Sequence, residues 1–263
     1  MLVDSIAWAN LNPKIAFKKT RKKYFGKYIF KAEMYLPGAY LLRYGICKDQ
    51  SSLKTYIVTK SLQMRRHVKL QAENNKMWMK SDFIARLSPH QRLWYDDLVD
   101  PDALYSANHI LRIKGFRCST FADKLAIYSN DEALLLEMIN ALLPENSVNS
   151  ITAPGSSAEL HVLEKGNILT DKVDEFKYKI HLRSGRVNSV DTANLYNFVL
   201  RMLDSKEMIA PNFVLRGLGQ GTLWYGNYYL MAKDLGMVTL LNLTVPGIVS
   251  TTHELSDINE LVV

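Results

Sequence analysis

The chain has 263 residues, of which 48% are apolar, and its 33 Lys and Arg exceed its 26 Asp and Glu by seven charges. That apolar share suffices for one large core or two compact ones and argues against disorder. No run of 18 apolar residues occurs, Met1 to Ser5 has neither the basic nor the apolar part of a secretion signal, and two cysteines, Cys47 and Cys118, cannot build a disulfide framework. A reduced cytoplasmic protein with no membrane partner is therefore expected.

Taken in chain order, residues 1–23 read as a basic N-terminal arm. Residues 1–90 hold eighteen Lys or Arg against five Asp or Glu, and the rest of the chain fifteen against twenty-one. From Tyr28 to Leu36, Tyr28, Phe30, Ala32, Met34 and Leu36 alternate with Ile29, Lys31, Glu33 and Tyr35, the period-two pattern of a half-buried strand that Pro37-Gly38 ends. An insertion follows at about 44–100, with one or two short helices and the basic runs Arg65-Arg66-His67-Val68-Lys69 and Lys76 to Lys80. Pro101-Asp102 starts a helix that Gly115 closes, 116–120 and 124–128 form a hairpin, 131–143 a second helix and 148–153 a strand. This completes a first unit at 24–154.

Residues 155–174 read as a linker holding a short strand at 160–163. A second unit, 175–256, follows as strand 176–183, helix 191–204, strand 212–216, strand 223–231, helix 234–243 and strand 247–254, before a tail at 257–263.

The two units look like one module written twice. Leu135, Leu136, Met138, Ile139, Asn140 and Pro144 recur without gaps as Met237, Val238, Leu240, Leu241, Asn242 and Pro246. The preceding segments Ala126 to Asp131 and Tyr229 to Asp234 correspond, and the pairs Leu104-Tyr105 and Leu111-Arg112 are echoed by Leu195-Tyr196 and Leu200-Arg201. The fold class read from this is α+β: two tandem ferredoxin-like (β-α-β-β-α-β) units with antiparallel sheets, a basic N-terminal extension and an insertion in the first unit.

In such a unit the helices cover one face of the sheet and leave the other open. The second unit's first strand sets Lys177, Lys179, His181 and Arg183 in a row on that open face. A second basic cluster comprises Lys18, Lys19, Arg21, Lys22, Lys23, Lys27 and Lys31, with Tyr24 and Phe25 available for stacking while Tyr28 and Phe30 point inward. Cations interleaved with aromatics supply the phosphate contacts and the stacking platform that single-stranded nucleic-acid binders use. Arg65, Arg66 and Lys69 lie at helical spacing and extend the basic surface, and Trp224 and Tyr225 follow the glycine-rich stretch Arg216 to Gly221, read as a flexible hairpin turn.

Catalytic signals are sparse. The six histidines have no metal-ligand spacing, and Asp96, Asp97, Asp100 and Asp102 flank Pro101, where capping and turn formation account for them. No metal or cofactor is expected. The reading is a non-catalytic nucleic-acid-binding protein, preferring single-stranded DNA or RNA. Two alternatives remain open: a metal-independent endoribonuclease using a His, Tyr or Lys, and a structural or adaptor subunit of a viral or polymerase assembly with a protein partner or a second copy of itself.

Overall fold

Two five-stranded sheets, each with its own helices, organise the chain in the computed structural model, which describes residues 2–44, 48–74, 80–143, 147–183, 189–221 and 228–261. The chain divides into a first unit of 1–20 and 27–154 and a second of 21–26 and 155–263. Among the described residues there are ten α-helices, and no helix is long and apolar enough to cross a membrane.

The first unit runs α1 (Ser5–Leu11), β1 (Ala16–Lys19), β2 (Phe30–Tyr35), a 3-10 turn (Ala39–Arg43), α2 (Gln50–Asn74), α3 (Lys80–Arg86), α4 (Pro89–Tyr95), α5 (Pro101–Ile110), β3 (Arg117–Phe121), β4 (Lys124–Ser129), α6 (Glu132–Leu142) and β5 (Val148–Ala153). Its strand order is β1-β5-β2-β4-β3. The inward residues of β2, Phe30, Ala32 and Met34, are buried as their alternation predicts, and join Leu104, Leu125, Ile127, Leu135, Ile139 and Ile151 in the core. Asp100 caps α5 by accepting from the Asp102 and Ala103 amides, and Asp131 caps α6 through the Leu134 amide.

The second unit runs α7 (Ser157–Glu164), β6 (Ile168–Thr170), β7 (Tyr178–Leu182), α8 (Ser189–Asp204), β8 (Met208–Ile209), α9 (Asn212–Gly219), β9 (Tyr229–Ala232), α10 (Gly236–Thr244) and β10 (Val249–Asp257), with strand order β6-β10-β7-β9-β8. Ile180 and Leu182 of β7 and Leu230 and Ala232 of β9 pack against Leu195, Phe198 and Val199 of α8, Val214 and Leu218 of α9 and Leu241 of α10. This apolar layer closes one face of the sheet. The duplicated positions share their fate: Leu104 and Leu195 are fully buried, and so are Ile139 and Leu241 to within 2%.

Several expectations need correction. The sheets are not purely antiparallel: β1 runs parallel to β5, and β6 parallel to β10, each as an edge strand. Residues 1–23, read as an arm, contain α1 and β1, and Trp8 of α1 is fully buried. Residues 155–174, read as a linker with a strand at 160–163, hold helix α7 over that stretch and then β6. Residues 212–216, read as a strand, begin helix α9, which also contains Gly217 and Gly219, so that glycine-rich stretch is no hairpin turn. The insertion carries the 25-residue α2 as well as two short helices.

Candidate nucleic-acid interface

On the face of the second sheet away from the apolar layer, Lys179 and His181 alternate with the core residues Ile180 and Leu182, and Arg183 follows. They line a cleft of about 750 Å³ with Ser250, Thr251 and His253 of β10, Gly166 to Ile168, and the segment Lys22 to Gly26. Residues 21–26 belong to this unit, and the Leu169 amide donates to the Arg21 carbonyl at 2.8 Å, which seats the segment along the edge strand β6. Phe25 has a left-handed backbone (φ 53°), as does Gly26 (φ 68°), so the chain turns sharply with the Phe25 ring half exposed.

A row of rings crosses the sheet. The centroid of Phe213 lies 6.1 Å from that of Tyr229, Tyr229 lies 6.1 Å from His181, and His181 lies 5.5 Å from His253 in an edge-to-face arrangement. The Lys179 ammonium stands 3.9 Å from the centre of the Tyr229 ring, a cation–π contact. His253 Nδ1 is 2.7 Å from the Gly166 carbonyl; a carbonyl only accepts, so Nδ1 carries a proton and Nε2 is the nitrogen left for a ligand.

Electrostatics distinguish this cleft. Among the described residues that line it there are four Lys or Arg (Lys22, Lys23, Lys179, Arg183) and no Asp or Glu. Burial pushes His181 down to about 4, aided by repulsion from Lys179, His253 and Lys22. Burial also lowers Lys179, again with Lys22 adding repulsion. Each shift records burial together with cations held near one another, and an anion in the cleft would relieve the repulsion in both.

The first unit provides an internal comparison. In register, Glu33 of β2 pairs with Ala126 of β4 and Ser150 of β5, and His181 of β7 pairs with Tyr229 of β9 and Thr251 of β10. Ala126 and Tyr229 open the corresponding segments of the repeat, so Glu33 and His181 occupy equivalent positions, as do Lys31 and Lys179. At Glu33 burial alone would raise the carboxyl, but hydrogen bonding and charge from Lys31, with Ser150 and Lys18, hold it down at about 2. Lys31 donates to it at 2.8 Å, Ser150 at 3.0 Å and Lys18 at 3.3 Å. One sheet carries a carboxylate where the other carries an imidazole.

The structure divides the cations expected at the interface. Lys18 and Lys31 are compensated by Glu33 in the first unit, to which Lys19 and Lys27 also belong, with Lys27 over the Tyr28 ring. Arg21 makes a two-pronged ion pair with Asp171 at 2.7 and 2.8 Å. Arg65 pairs with Asp97, Lys69 reaches Glu73 at 3.8 Å, and both lie with Arg66 on α2 of the first unit. Lys177 is exposed just before β7 and does not line the cleft. Trp224 and Tyr225, like the run Lys76 to Met79 of the insertion, lie outside the described residues. Thus Lys22, Lys23, Tyr24, Phe25, Lys179 and Arg183 are brought together, and the other described candidates are not.

His253, Thr251, Tyr229 and Phe213 were not singled out from the sequence. The alternation Thr251, His253 on a final strand is the one local signal for the first two; the others become visible only through strand register. Among the described residues no group of three or more His, Cys, Asp or Glu could hold a metal ion. No family model, no curated protein and no solved structure matches this chain.

Proposed function

We propose that the open face of the second sheet binds single-stranded nucleic acid. The backbone phosphates lie against Lys22, Lys23, Lys179 and Arg183, and bases stack on Tyr24, Phe25 and the ring row of Phe213, Tyr229 and His181. One observation carries this reading: the sheet position that holds the neutralising Glu33 in the first unit holds His181 in the second, so that Lys179 has an imidazole beside it where Lys31 has a carboxylate. A concave, cation-lined surface with rings spaced across a sheet suits a flexible strand better than a rigid duplex. Setting aside the parallel edge strands, the orders β5-β2-β4-β3 and β10-β7-β9-β8 support reading each unit as ferredoxin-like.

Fluorescence anisotropy with labelled single-stranded RNA, single-stranded DNA and duplex tests the reading. Four cationic contacts predict that the logarithm of the affinity falls by about 3 for each tenfold rise in salt, from about 0.7 per neutralised phosphate on a single strand. Absence of binding near physiological salt would overturn it.

A further inference from the structure

Resting on that reading, we propose that the same cleft cleaves RNA, with His181 as general base and His253 as general acid in an internal phosphoester transfer. The two imidazoles project from adjacent strands, 5.5 Å apart between centroids and 83° between planes, so they reach a phosphate from two directions. Lys179 pairs in register with His253 and is followed two residues later by His181, and its ammonium rests over the ring of Tyr229, the residue that pairs with His181 on the next strand. The proton-transfer partners in such a reaction must stand within about 3 Å of the oxygens they serve, an arrangement that a strand lying along the cleft brings about.

The chemistry balances without an external reagent. His181 takes the proton of the ribose 2′-hydroxyl while that oxygen forms a bond to phosphorus. The bond from phosphorus to the 5′-oxygen of the next nucleotide breaks, and the charged form of His253 gives its Nε2 proton to that leaving oxygen. The products are a 2′,3′-cyclic phosphate and a free 5′-hydroxyl. Lys179, fixed over the Tyr229 ring, stabilises the extra negative charge on the phosphoryl oxygens in the transition state. The requirement for a 2′-hydroxyl commits the substrate to RNA.

The groups facing the two histidines are Lys179 on β7, Tyr229 on β9 and Lys22 from the 21–26 segment, with no carboxylate among the described residues lining the cleft. In the free protein His181 is neutral at pH 7 because burial and these cations hold it low. A phosphate seated between the rings offsets the cations and draws its proton affinity up toward working pH, which makes it an effective base only when substrate is bound. The rate then falls on the acid side as His181 becomes protonated.

The test uses the whole chain in EDTA with a 5′-labelled single-stranded RNA, its counterpart carrying 2′-deoxyribose throughout, and the variants His181→Gln and His253→Gln. Binding is read by anisotropy alongside cleavage, so each variant's fold is reported by its own affinity. The expected result is cleavage to cyclic-phosphate ends by the wild-type chain and none of the deoxy strand, which still binds. Each variant should lose about 10²-fold or more in the rate at saturating RNA; His253→Gln should keep its affinity within about threefold, while His181→Gln also gives up a stacking ring and binds more weakly. RNA that is bound and stays intact overturns the cleavage proposal and leaves the binding reading standing, and so does cleavage that both variants retain. RNA that does not bind at all overturns both.

Discussion

The substitution His181→Glu gives the second sheet the counter-ion that the first already has. In the first unit Glu33 holds two lysines, at 2.8 and 3.3 Å. The introduced carboxylate would stand among Lys179 and Lys22, the two lysines whose repulsion lowers His181 in the native protein. Withdrawing two of the four cations lining the cleft halves the salt dependence, from a slope of about 3 to about 1.5. A carboxylate about 6 Å from a bound phosphate repels it by roughly 3 kcal/mol at an effective dielectric of about 20, and salt screening near 0.15 M reduces this to roughly 1.5 kcal/mol. Affinity should therefore fall about tenfold. Anisotropy titrations of His181→Glu and wild type at about 50 and about 200 mM salt measure both quantities. Unchanged affinity together with an unchanged slope would refute the argument that this position governs the cleft's charge.

Three further outcomes test the framework. Glu33→Gln should destabilise the chain by about 1 kcal/mol at pH 7, a figure held small because the pair is partly exposed; since Glu33 is held at about 2, that contribution is present above the carboxyl's ordinary value of 4.5 and is lost as pH falls toward 2, so denaturant titrations at several pH values should show the penalty shrinking in that window, and an acid-independent penalty would contradict it. Trp8 is fully buried and donates from Nε1 to Glu132, so Trp8→Ala should cost about 3–5 kcal/mol, whereas a change under about 1 kcal/mol in urea unfolding would make α1 a dispensable arm. Asp131→Ala removes the acceptor 3.0 Å from the Leu134 amide and should cost about 1 kcal/mol, read as a lower thermal midpoint with the fold unchanged by circular dichroism.

The parts of the structure that announce themselves in the sequence are those governed by local periodicity. The alternation through β2 and β7, the Asp-capped helices α5 and α6 and the doubled helix ending in Asn-x-x-x-Pro all follow from short-range patterns. β1 escapes such reading because all four of its residues are exposed, so its pairing with β5 leaves no apolar alternation to detect. The Asn212–Gly219 segment looks like a strand through Phe213, Val214 and Leu215, but Val214 and Leu218, four residues apart, are the pair the core selects, and that spacing is helical. At the site, the row Lys179, His181, Arg183 is legible from β7 alone. Which other cations join that row is not: Glu33, Asp171 and Asp97 find Lys18, Arg21 and Arg65 across 15, 150 and 32 residues of chain. Charge counted along a sequence therefore overstates the basic surface, and the fold decides which part of it meets carboxylates of the same chain.

The central claim is a location, the cleft on the second sheet, and photo-crosslinking addresses it directly. A single-stranded RNA containing 4-thiouridine, bound to the whole chain and irradiated, should attach to peptides containing Tyr24 and Phe25, Lys179 to Arg183, and Thr251 to His253, which together line that cleft. Crosslinks confined to α2, where Arg65, Arg66 and Lys69 lie, or to the Glu33 face of the first sheet would contradict the account.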